Sequence, residues 1–385
     1  MTNVLMISTD AKILEEGSPV RARMAEYGAL FGELHIVVFA KRSEAPSIQE
    51  GRSAISKNTF AYPTASVSKL WYVRDATRIG ASIVSSARLA AADSVITTQD
   101  PFETGLVGAR LSKKTGVPLH VQIHTDFHSP YFKDSILNRI RTVIADKVFP
   151  RASAIRAVSE RICASLPADA RQKASVLPIF ADIASIRGAA IDPTADLRKR
   201  YPQFGKIVLM ASRLTKEKDF STALEAFALA LKSAQVSGAR GLSLPAGLVI
   251  VGAGPEEGSI RSRISSLGLD DRVVIEPWAD RATIVSYMKT CDVFLSASRY
   301  EGYGLSMLEA HAAGATVVAT DAGIASELAG SVAAPGDADA LAANLSAAIS
   351  GRLKNKPSIY PYPSKEAYLE AFKKDIDRAL GQPLL

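Results

Sequence analysis

The chain has 385 residues, of which 47% are hydrophobic and 22% are charged. This balance excludes a disordered or fibrous chain, and the length favours two domains over one or four. The formal net charge of +7 permits an anionic partner, such as a nucleotide phosphate, an anionic membrane or a nucleic acid, without choosing among them.

Residues 1–8 predict a first β-strand, because no basic segment precedes an apolar core of the kind found in a signal peptide. No window approaches the ~18 uninterrupted apolar residues of a membrane span. Cys163 and Cys291 are far apart and lack CxxC spacing, which argues against a disulfide framework or a cysteine-based zinc site. We therefore expect a cytoplasmic protein.

Short apolar runs alternate along the chain with longer helical stretches. Runs that are apolar on both faces predict buried parallel strands, and their alternation with helices predicts βαβ units. The predicted strands are 4–9, 34–40, 59–64, 94–98, 118–125, 154–159, 175–179, 206–212, 247–252, 272–278, 293–298, 316–321 and 332–334. This order predicts an α/β fold with two Rossmann-like, doubly wound domains.

The domain boundary is predicted near residues 180–186, because residues 180–202 lack a clear strand. The expected domains are 1–183 and 184–362, followed by an amphipathic helix within 363–385 that comes after a proline-rich connector. Residues 1–185 carry 23 basic and 17 acidic side chains, whereas the rest of the chain carries 23 and 22. The excess positive charge thus belongs to the first domain, either as scattered surface charge or as a basic face for an anionic acceptor or bilayer.

The strongest chemical motif follows the strand 293–298. A glycine-rich turn containing Gly302 and Gly304 leads into a helix, and such a turn exposes backbone N–H groups that suit a phosphate. Glu301 in the loop and Glu309 in the helix could each accept hydrogen bonds from sugar hydroxyls. The alternative is an ordinary strand–turn–helix with solvated glutamates.

A second motif contains Arg213 and Lys218, after the first strand of the second domain. Two cations at the carboxyl edge of a sheet could hold a diphosphate, although basic loops are common. A third motif, with Gly252 and Gly254, lacks the third glycine of a dinucleotide fingerprint, because Glu257 stands at that position. We interpret it as a close backbone approach and not as an NAD site.

The histidines offer a weaker signal. His120, His124 and His128 could in principle bind zinc, but the change from strand to loop spoils the spacing, and a structural role suits His120 and His311. Asp337 and Asp339 match a DxD metal motif formally, yet capping of the following helix explains them better. We expect no metal site.

These motifs resemble the retaining glycosyltransferases of family 4, which have the GT-B fold of two domains facing across a cleft. Residues 301–309 resemble that family's donor motif, and residues 212–218 its diphosphate clamp, while the resemblance is diffuse in the first domain. His124 stands where the family commonly has a His-Asp pair, here with Thr125 inserted. Gly17 stands in place of a more glycine-rich loop.

The resemblance implies that a sugar moves from a nucleotide-diphosphate sugar to an acceptor hydroxyl on a glycan, a lipid-linked or a small molecule, without metal or other cofactor. The implied catalytic residues are His124, Arg213, Lys218 and Glu301. The implied donor-binding residues are Gly17, Ser212, Arg213, Lys218, Gly252, Trp278, Glu301, Gly302, Tyr303, Gly304, Leu305, Ser306 and Glu309.

By the same resemblance, Glu309 binds the ribose, Glu301 and His124 contact the donor sugar, and the last helix crosses back onto the first domain. Two alternatives stay open: a nucleotide-sugar epimerase using Asp100 or Asp126, and a catalytically idle partner protein. Peripheral contact with the inner face of an anionic membrane is a separate hypothesis. Nucleic acid is not expected as a partner, because no nucleic-acid motif accompanies the charge.

Overall fold

The computed structural model describes residues 1–45, 51–236, 245–357 and 360–381. The chain forms two compact units, one made of residues 1–178 and 365–385 and the other of residues 179–364. The boundary therefore lies at 178/179, five residues before the boundary expected from the sequence. The last helix is part of the first unit.

The first unit contains an eight-stranded sheet in the order β3-β4-β2-β1-β5-β6-β7-β8. All neighbouring strands are parallel except β3 and β4, which are antiparallel. The central strands are buried, except for Asn3 at the start of β1, because helices cover both faces of the sheet. The strands are β1 Asn3–Ser8, β2 Leu34–Val38, β3 Ser53–Ser56, β4 Thr59–Pro63, β5 Ser94–Thr98, β6 Leu119–Ile123, β7 Ala154–Ala157 and β8 Ala174–Val176.

Two helical layers enclose this sheet. Gly108 of α3 packs on Leu119, whereas the adjacent His120 bonds to Asp375 of α15, so α3 and α15 cover opposite faces. Numbered along the whole chain, the helices of this unit are α1 Pro19–Gly28, α2 Tyr72–Ser86, α3 Glu103–Thr115, α4 Ile136–Val148, α5 Glu160–Ser165, α6 Ala168–Gln172 and α15 Lys365–Asp377.

The second unit contains a six-stranded parallel sheet in the order β11-β10-β9-β12-β13-β14. Its strands are β9 Lys206–Ala211, β10 Ala246–Val251, β11 Val273–Glu276, β12 Val293–Ser296, β13 Thr316–Thr320 and β14 Val332–Ala333. Its helices are α7 Ile183–Gly188, α8 Leu197–Arg200, α9 Phe220–Val236, α10 Glu257–Ser266, α11 Arg281–Thr290, α12 Leu305–Ala313, α13 Ala325–Leu328 and α14 Ala338–Ile349.

Each of the thirteen predicted strands is present, and most end one to three residues earlier than predicted. The sequence prediction missed β3, a short strand at the sheet edge that is not buried. Its sequence, Ser-Ala-Ile-Ser, carries too little apolar character to stand out from a loop. Within the described residues, no helix is long and apolar enough to cross a membrane.

A buried polar network fixes α15 to the first sheet. His120 is fully buried and bonds to Thr97 at 2.9 Å and to Asp375 at 3.0 Å. The Asp375 carboxylate also accepts a hydrogen bond from Ser175. Burial alone would raise the pKa of Asp375, but electrostatic attraction to His120 and Arg156, together with the hydrogen bonds, holds this pKa below its usual range. His120 is therefore a structural residue, as the sequence suggested.

We expect Asp375→Ala to lower the free energy of unfolding by about 3 kcal/mol, because it leaves the fully buried His120 without its carboxylate acceptor and removes the acceptor of the half-buried Ser175. Urea denaturation measures the change. Glu370→Ala is the matched control on the same helix, since its pair with Lys374 is exposed and should contribute at most about 0.5 kcal/mol. Equal stability of the two variants would show that the network does not hold the helix.

Candidate functional site

The order in which successive strands are added to the second sheet reverses between β9 and β12. The chain runs from β9 outward through β10 and β11, then returns to β12 on the other side of β9. Open α/β sheets bind ligands at the carboxyl ends of the two strands flanking such a switch point. A small cavity lies there, lined by Met210, Ala211, Ser212, Lys218, Phe294, Leu295, Ser296, Ala297, Ser298, Glu301 and Ser306.

The glycine-rich turn brings the start of α12 to this cavity. Gly304 takes a left-handed conformation with φ +96°, and the helix begins at Leu305. The first N–H groups of a helix have no partner within it, and the helix dipole adds positive potential. Ser306, in the first turn, lines the cavity. The start of α12 thus remains a candidate anion site, and its use by a phosphate stays a prediction.

Lys218 and Glu301 form an ion pair across the cavity, linking the loop after β9 to the loop after β12. Their side chains are only 15% and 16% exposed. Ser298 Oγ also donates to the Glu301 carboxylate, at 2.8 Å. The pair leaves little free space, so a bound phosphate would need Lys218 to turn from Glu301 toward it.

These loops are held together by Arg299 and Asp219, two residues to which the sequence analysis assigned no role. Arg299 Nε donates to Asp219 Oδ2 at 3.0 Å, and the Arg299 backbone N–H donates to the Glu217 carbonyl at 2.8 Å. Asp219 is buried and has φ +46°, a left-handed conformation that a non-glycine residue rarely adopts. This strained residue directly follows Lys218, so it helps to fix the position of that lysine.

Arg213 does not converge with Lys218 in this structure. Its side chain is exposed and pairs with Glu217 at 3.3 Å, while Thr215 Oγ1 donates to the same carboxylate oxygen at 2.7 Å. An exposed ion pair of this kind contributes little free energy, so Arg213 can exchange Glu217 for another anionic partner at low cost. Arg213 therefore remains a candidate phosphate ligand at the rim of the crevice.

Gly252 and Gly254 bring the loop after β10 against the loop after β9. A Cβ at Gly252 would lie 2.0 Å from the Ser212 carbonyl oxygen, and one at Gly254 would lie 2.3 Å from that of Leu214. The Leu214 N–H bonds to the Ala253 carbonyl at 3.0 Å. The interpretation of these glycines as a close backbone approach is confirmed, and the contact positions Ser212.

Three further predicted donor residues lie around this edge. Tyr303 is buried, and its carbonyl accepts the Ile324 N–H at 2.9 Å, which ties the turn to the loop after β13. Glu309 is paired with Arg281 at 2.7 Å and is largely covered. Trp278 follows β11 and is 64% exposed. Glu309 is not among the residues lining the small cavity.

The first sheet has its own switch point, between β1 and β5. A cavity of about 470 Å³ lies at the carboxyl ends of β1, β5 and β6. It is lined by Thr9, Asp10, Gln99, Asp100, Pro101, Phe102, Ile123, His124 and Thr125. Its walls combine hydroxyl, amide, carboxyl and imidazole groups, which can hydrogen-bond a polar ligand.

His124 lies in this first-unit cavity and bonds to Gln122 at 3.2 Å. Burial, together with the positive charge of Arg156, lowers the pKa of His124 to about 3. The imidazole is therefore neutral near pH 7 and can serve as a hydrogen-bonding group without charge. Gly17 lies in the turn before α1, with φ +76°.

Asp100 and Asp126, the carboxylates considered for an epimerase, both follow strands of the first sheet. Burial raises the pKa of Asp100 to about 6 and that of Asp126 above its usual range. Asp100 Oδ1 accepts the Phe102 N–H at 2.7 Å and the Thr104 N–H at 3.3 Å. Asp100 thus already serves as a cap at the start of α3.

In the part of the chain that the structure describes, no three His, Cys, Asp or Glu side chains lie close enough together to hold a metal ion. Both ring nitrogens of His120 already form hydrogen bonds, Nδ1 with Thr97 and Nε2 with Asp375. Asp337 accepts the Ala340 N–H at 2.9 Å and caps α14, as the sequence predicted for this DxD segment.

One known family matches the segment of the chain that forms the crevice between β9 and β12. Residues 197–361 match the model of the family described as "Glycosyl transferases group 1". An alpha-monoglucosyldiacylglycerol synthase of Streptococcus pneumoniae is 28% identical over 238 residues, or 58% of this chain and 51% of that protein. A D-inositol 3-phosphate glycosyltransferase of Jonesia denitrificans is 34% identical over 31% of this chain and 28% of its own. The chain thus spans about half or less of these relatives.

Solved structures resemble the whole chain. HepE of Anabaena, in complex with UDP, aligns with a TM-score of 0.65 and 17% identity over 98% of this chain and 95% of its own. Sucrose-phosphate synthase of Thermosynechococcus elongatus aligns with a TM-score of 0.69 and 16% identity over 99% and 94%. At this identity the likeness concerns the fold, and the predicted fold class, two Rossmann-like α/β domains of the GT-B type, is confirmed.

Proposed function

We propose that the protein is a retaining glycosyltransferase of family 4 that transfers a sugar, of hexose type, from a nucleotide-diphosphate sugar to an acceptor hydroxyl without a metal ion. One observation carries the proposal. The family match spans residues 197–361, and this range contains the crevice where Lys218, Glu301 and the start of α12 meet. HepE, which shares the fold, was crystallised with UDP and with UDP-glucose.

Lys218 and the start of α12 would stabilise the leaving diphosphate as negative charge develops on it. Lys218 would exchange Glu301 for the diphosphate, and Arg213 would swing in from the rim. The freed Glu301 carboxylate would then accept hydrogen bonds from hydroxyl groups of the donor sugar. Attack from the face that the diphosphate leaves would retain the anomeric configuration, with the leaving phosphate as base and without an enzyme nucleophile.

The remaining roles are assigned by resemblance to the family. Glu309 would bind the ribose hydroxyls after releasing Arg281, and Ser212 would lie beside the diphosphate. Neutral His124 donates its Nε2–H to the Gln122 amide oxygen, so its Nδ1 would accept a hydrogen bond from a hydroxyl of the donor sugar, while the first unit binds the acceptor. The Streptococcus pneumoniae relative is by name a synthase of a glucosylated diacylglycerol, which supports a role in glycolipid or glycan synthesis.

We place the protein in the cytoplasm, with peripheral contact to an anionic membrane through its first unit. The charge distribution supports this contact. The first unit carries 27 basic and 20 acidic side chains, whereas the second carries 19 of each. The whole net charge of +7 therefore belongs to the unit assigned to the acceptor.

A thermal-shift panel of UDP-, GDP- and ADP-sugars tests the proposal. A ligand that binds only the folded state at about 100 times its Kd adds about 2.7 kcal/mol of stability, so one donor class should raise the Tm, with or without EDTA. Release of the nucleoside diphosphate should follow when an acceptor is supplied. An unchanged Tm with every nucleotide sugar would contradict the proposal, and an intact donor carrying a changed sugar would identify an epimerase.

A further inference from the structure

Helix α4 presents apolar side chains to solvent. Ile136, Leu137, Ile140 and Val143 are 76%, 54%, 53% and 53% exposed, whereas Ala145 and Val148 face the protein. Ile136, Ile140 and Val143 have i, i+4 and i+7 spacing, so they form one stripe along the helix. An amphipathic helix normally buries such a stripe, and this one faces outward.

A second exposed apolar segment precedes α2. Val67, Leu70 and Trp71 are 74%, 91% and 44% exposed, and the Arg74 guanidinium lies 4.0 Å from the centroid of the Trp71 ring. Helix α2 packs on α3, and α3 packs on α4. Because α2 follows β4 and α4 follows β6, both helices begin at the carboxyl edge of the first sheet. The two apolar segments thus belong to one helical layer.

The same layer is strongly basic. Helices α2, α3 and α4 carry eight Lys or Arg side chains and three Asp or Glu side chains. On the opposite face of the sheet, Tyr27 of α1 stacks on Phe372 of α15, and these two helices carry five basic and five acidic side chains. On α4, Arg139 and Lys147 are exposed beside the apolar stripe. Positive charge is therefore concentrated where the apolar side chains are exposed.

We propose that the outer surface of α2–α4 docks on an anionic lipid bilayer. The α4 stripe and the Leu70-Trp71 pair would enter the interface between headgroups and acyl chains, while Arg139, Lys147 and their neighbours bind headgroup phosphates. Tryptophan suits this depth because its ring is apolar and its N–H is polar.

Charge complementarity selects the bilayer over a second copy of the chain. A twofold dimer would place the same patch against itself, so two surfaces with a net charge of +5 each would repel. An uncharged apolar partner would pair with the apolar side chains but not with the basic ones. An anionic membrane can bind both, because its acyl chains contact the apolar side chains and its headgroups contact the basic ones. The inference deepens the membrane contact proposed above and rests on it, but it does not depend on sugar transfer.

Flotation of the full chain with lipid vesicles tests the inference. Vesicles of phosphatidylcholine with phosphatidylglycerol should carry the protein at low salt and release much of it at high salt, whereas phosphatidylcholine alone should carry little. Ile140→Ser combined with Val143→Ser should weaken partitioning by about 10-fold or more. Ile191→Ser, which changes a 44% exposed apolar residue of the second unit, should leave it unchanged.

Arg139→Glu should likewise weaken partitioning, and Arg352→Glu, an exposed charge reversal in the second unit, should not. Wild-type binding by the Ile140/Val143 double variant, or no binding to anionic vesicles, would overturn the inference. So would a dimer that this double variant dissociates. Nucleotide-sugar thermal shifts on the same variants keep the two proposals separate, because vesicle binding without a shift contradicts only sugar transfer.

Discussion

Replacing Lys218 by Met should slow release of the nucleoside diphosphate from the donor by about 100-fold or more, because the leaving group loses the cation that lines the same cavity as the first turn of α12. The same change should lower the free energy of unfolding by about 3 kcal/mol, since Glu301 loses its ion-pair partner in a largely buried position. A nucleotide-release assay and urea denaturation measure the two effects.

The double variant Lys218→Met/Glu301→Gln separates these effects. Without a charge left unpaired, it should recover much of the lost stability but none of the lost rate. Arg261→Gln is the matched control, because it breaks an exposed pair with Glu257 and should change stability by at most about 0.5 kcal/mol. A double variant that regains near wild-type turnover would exclude Lys218 as a ligand of the diphosphate.

Gly252→Ala should destabilise the second unit by about 3 kcal/mol and weaken donor binding. The new Cβ would lie 2.0 Å from the Ser212 carbonyl oxygen and 3.2 Å from the Ser212 carbonyl carbon. Both are backbone atoms, so the two loops must separate. Because Ser212 lines the crevice, this separation alters the site itself. Urea denaturation and the donor-induced Tm shift report the two consequences.

Gly258→Ala is the control for this change. Gly258 is exposed in the first turn of α10, and a Cβ there would meet nothing within 4 Å. Alanine should therefore stabilise the protein by about 0.5–1 kcal/mol, through higher helix propensity and a less flexible unfolded chain. Equal stability of the Gly252→Ala and Gly258→Ala variants would contradict the close contact between the two loops at Gly252.

Local signals in the sequence were enough to predict most elements of the fold. Strands such as 94–98 are apolar on both faces, and Gly304 marks the start of α12 because its backbone is left-handed. The contact at Gly252 was also predictable, since a GxG segment directly follows a strand. Each of these features depends on residues that are adjacent in the chain, so it can be predicted from one sequence.

The pairings between distant residues were not predictable in this way. Lys218 and Glu301 are 83 positions apart and meet only because β12 lies beside β9 in the sheet. His120 and Asp375 are 255 positions apart, and Glu309 meets Arg281 on a neighbouring helix. The order of the strands and the packing of the helices decide these contacts, and composition and spacing do not specify either of them.

The proposed donor site is tested most directly by a crystal structure of the protein with the nucleoside diphosphate that the thermal-shift panel identifies. We expect the diphosphate in the crevice between β9 and β12, with oxygens about 3 Å from backbone N–H groups at the start of α12 and with Lys218 turned from Glu301 toward the phosphate. A diphosphate bound elsewhere, with the Lys218–Glu301 pair intact, would contradict this account.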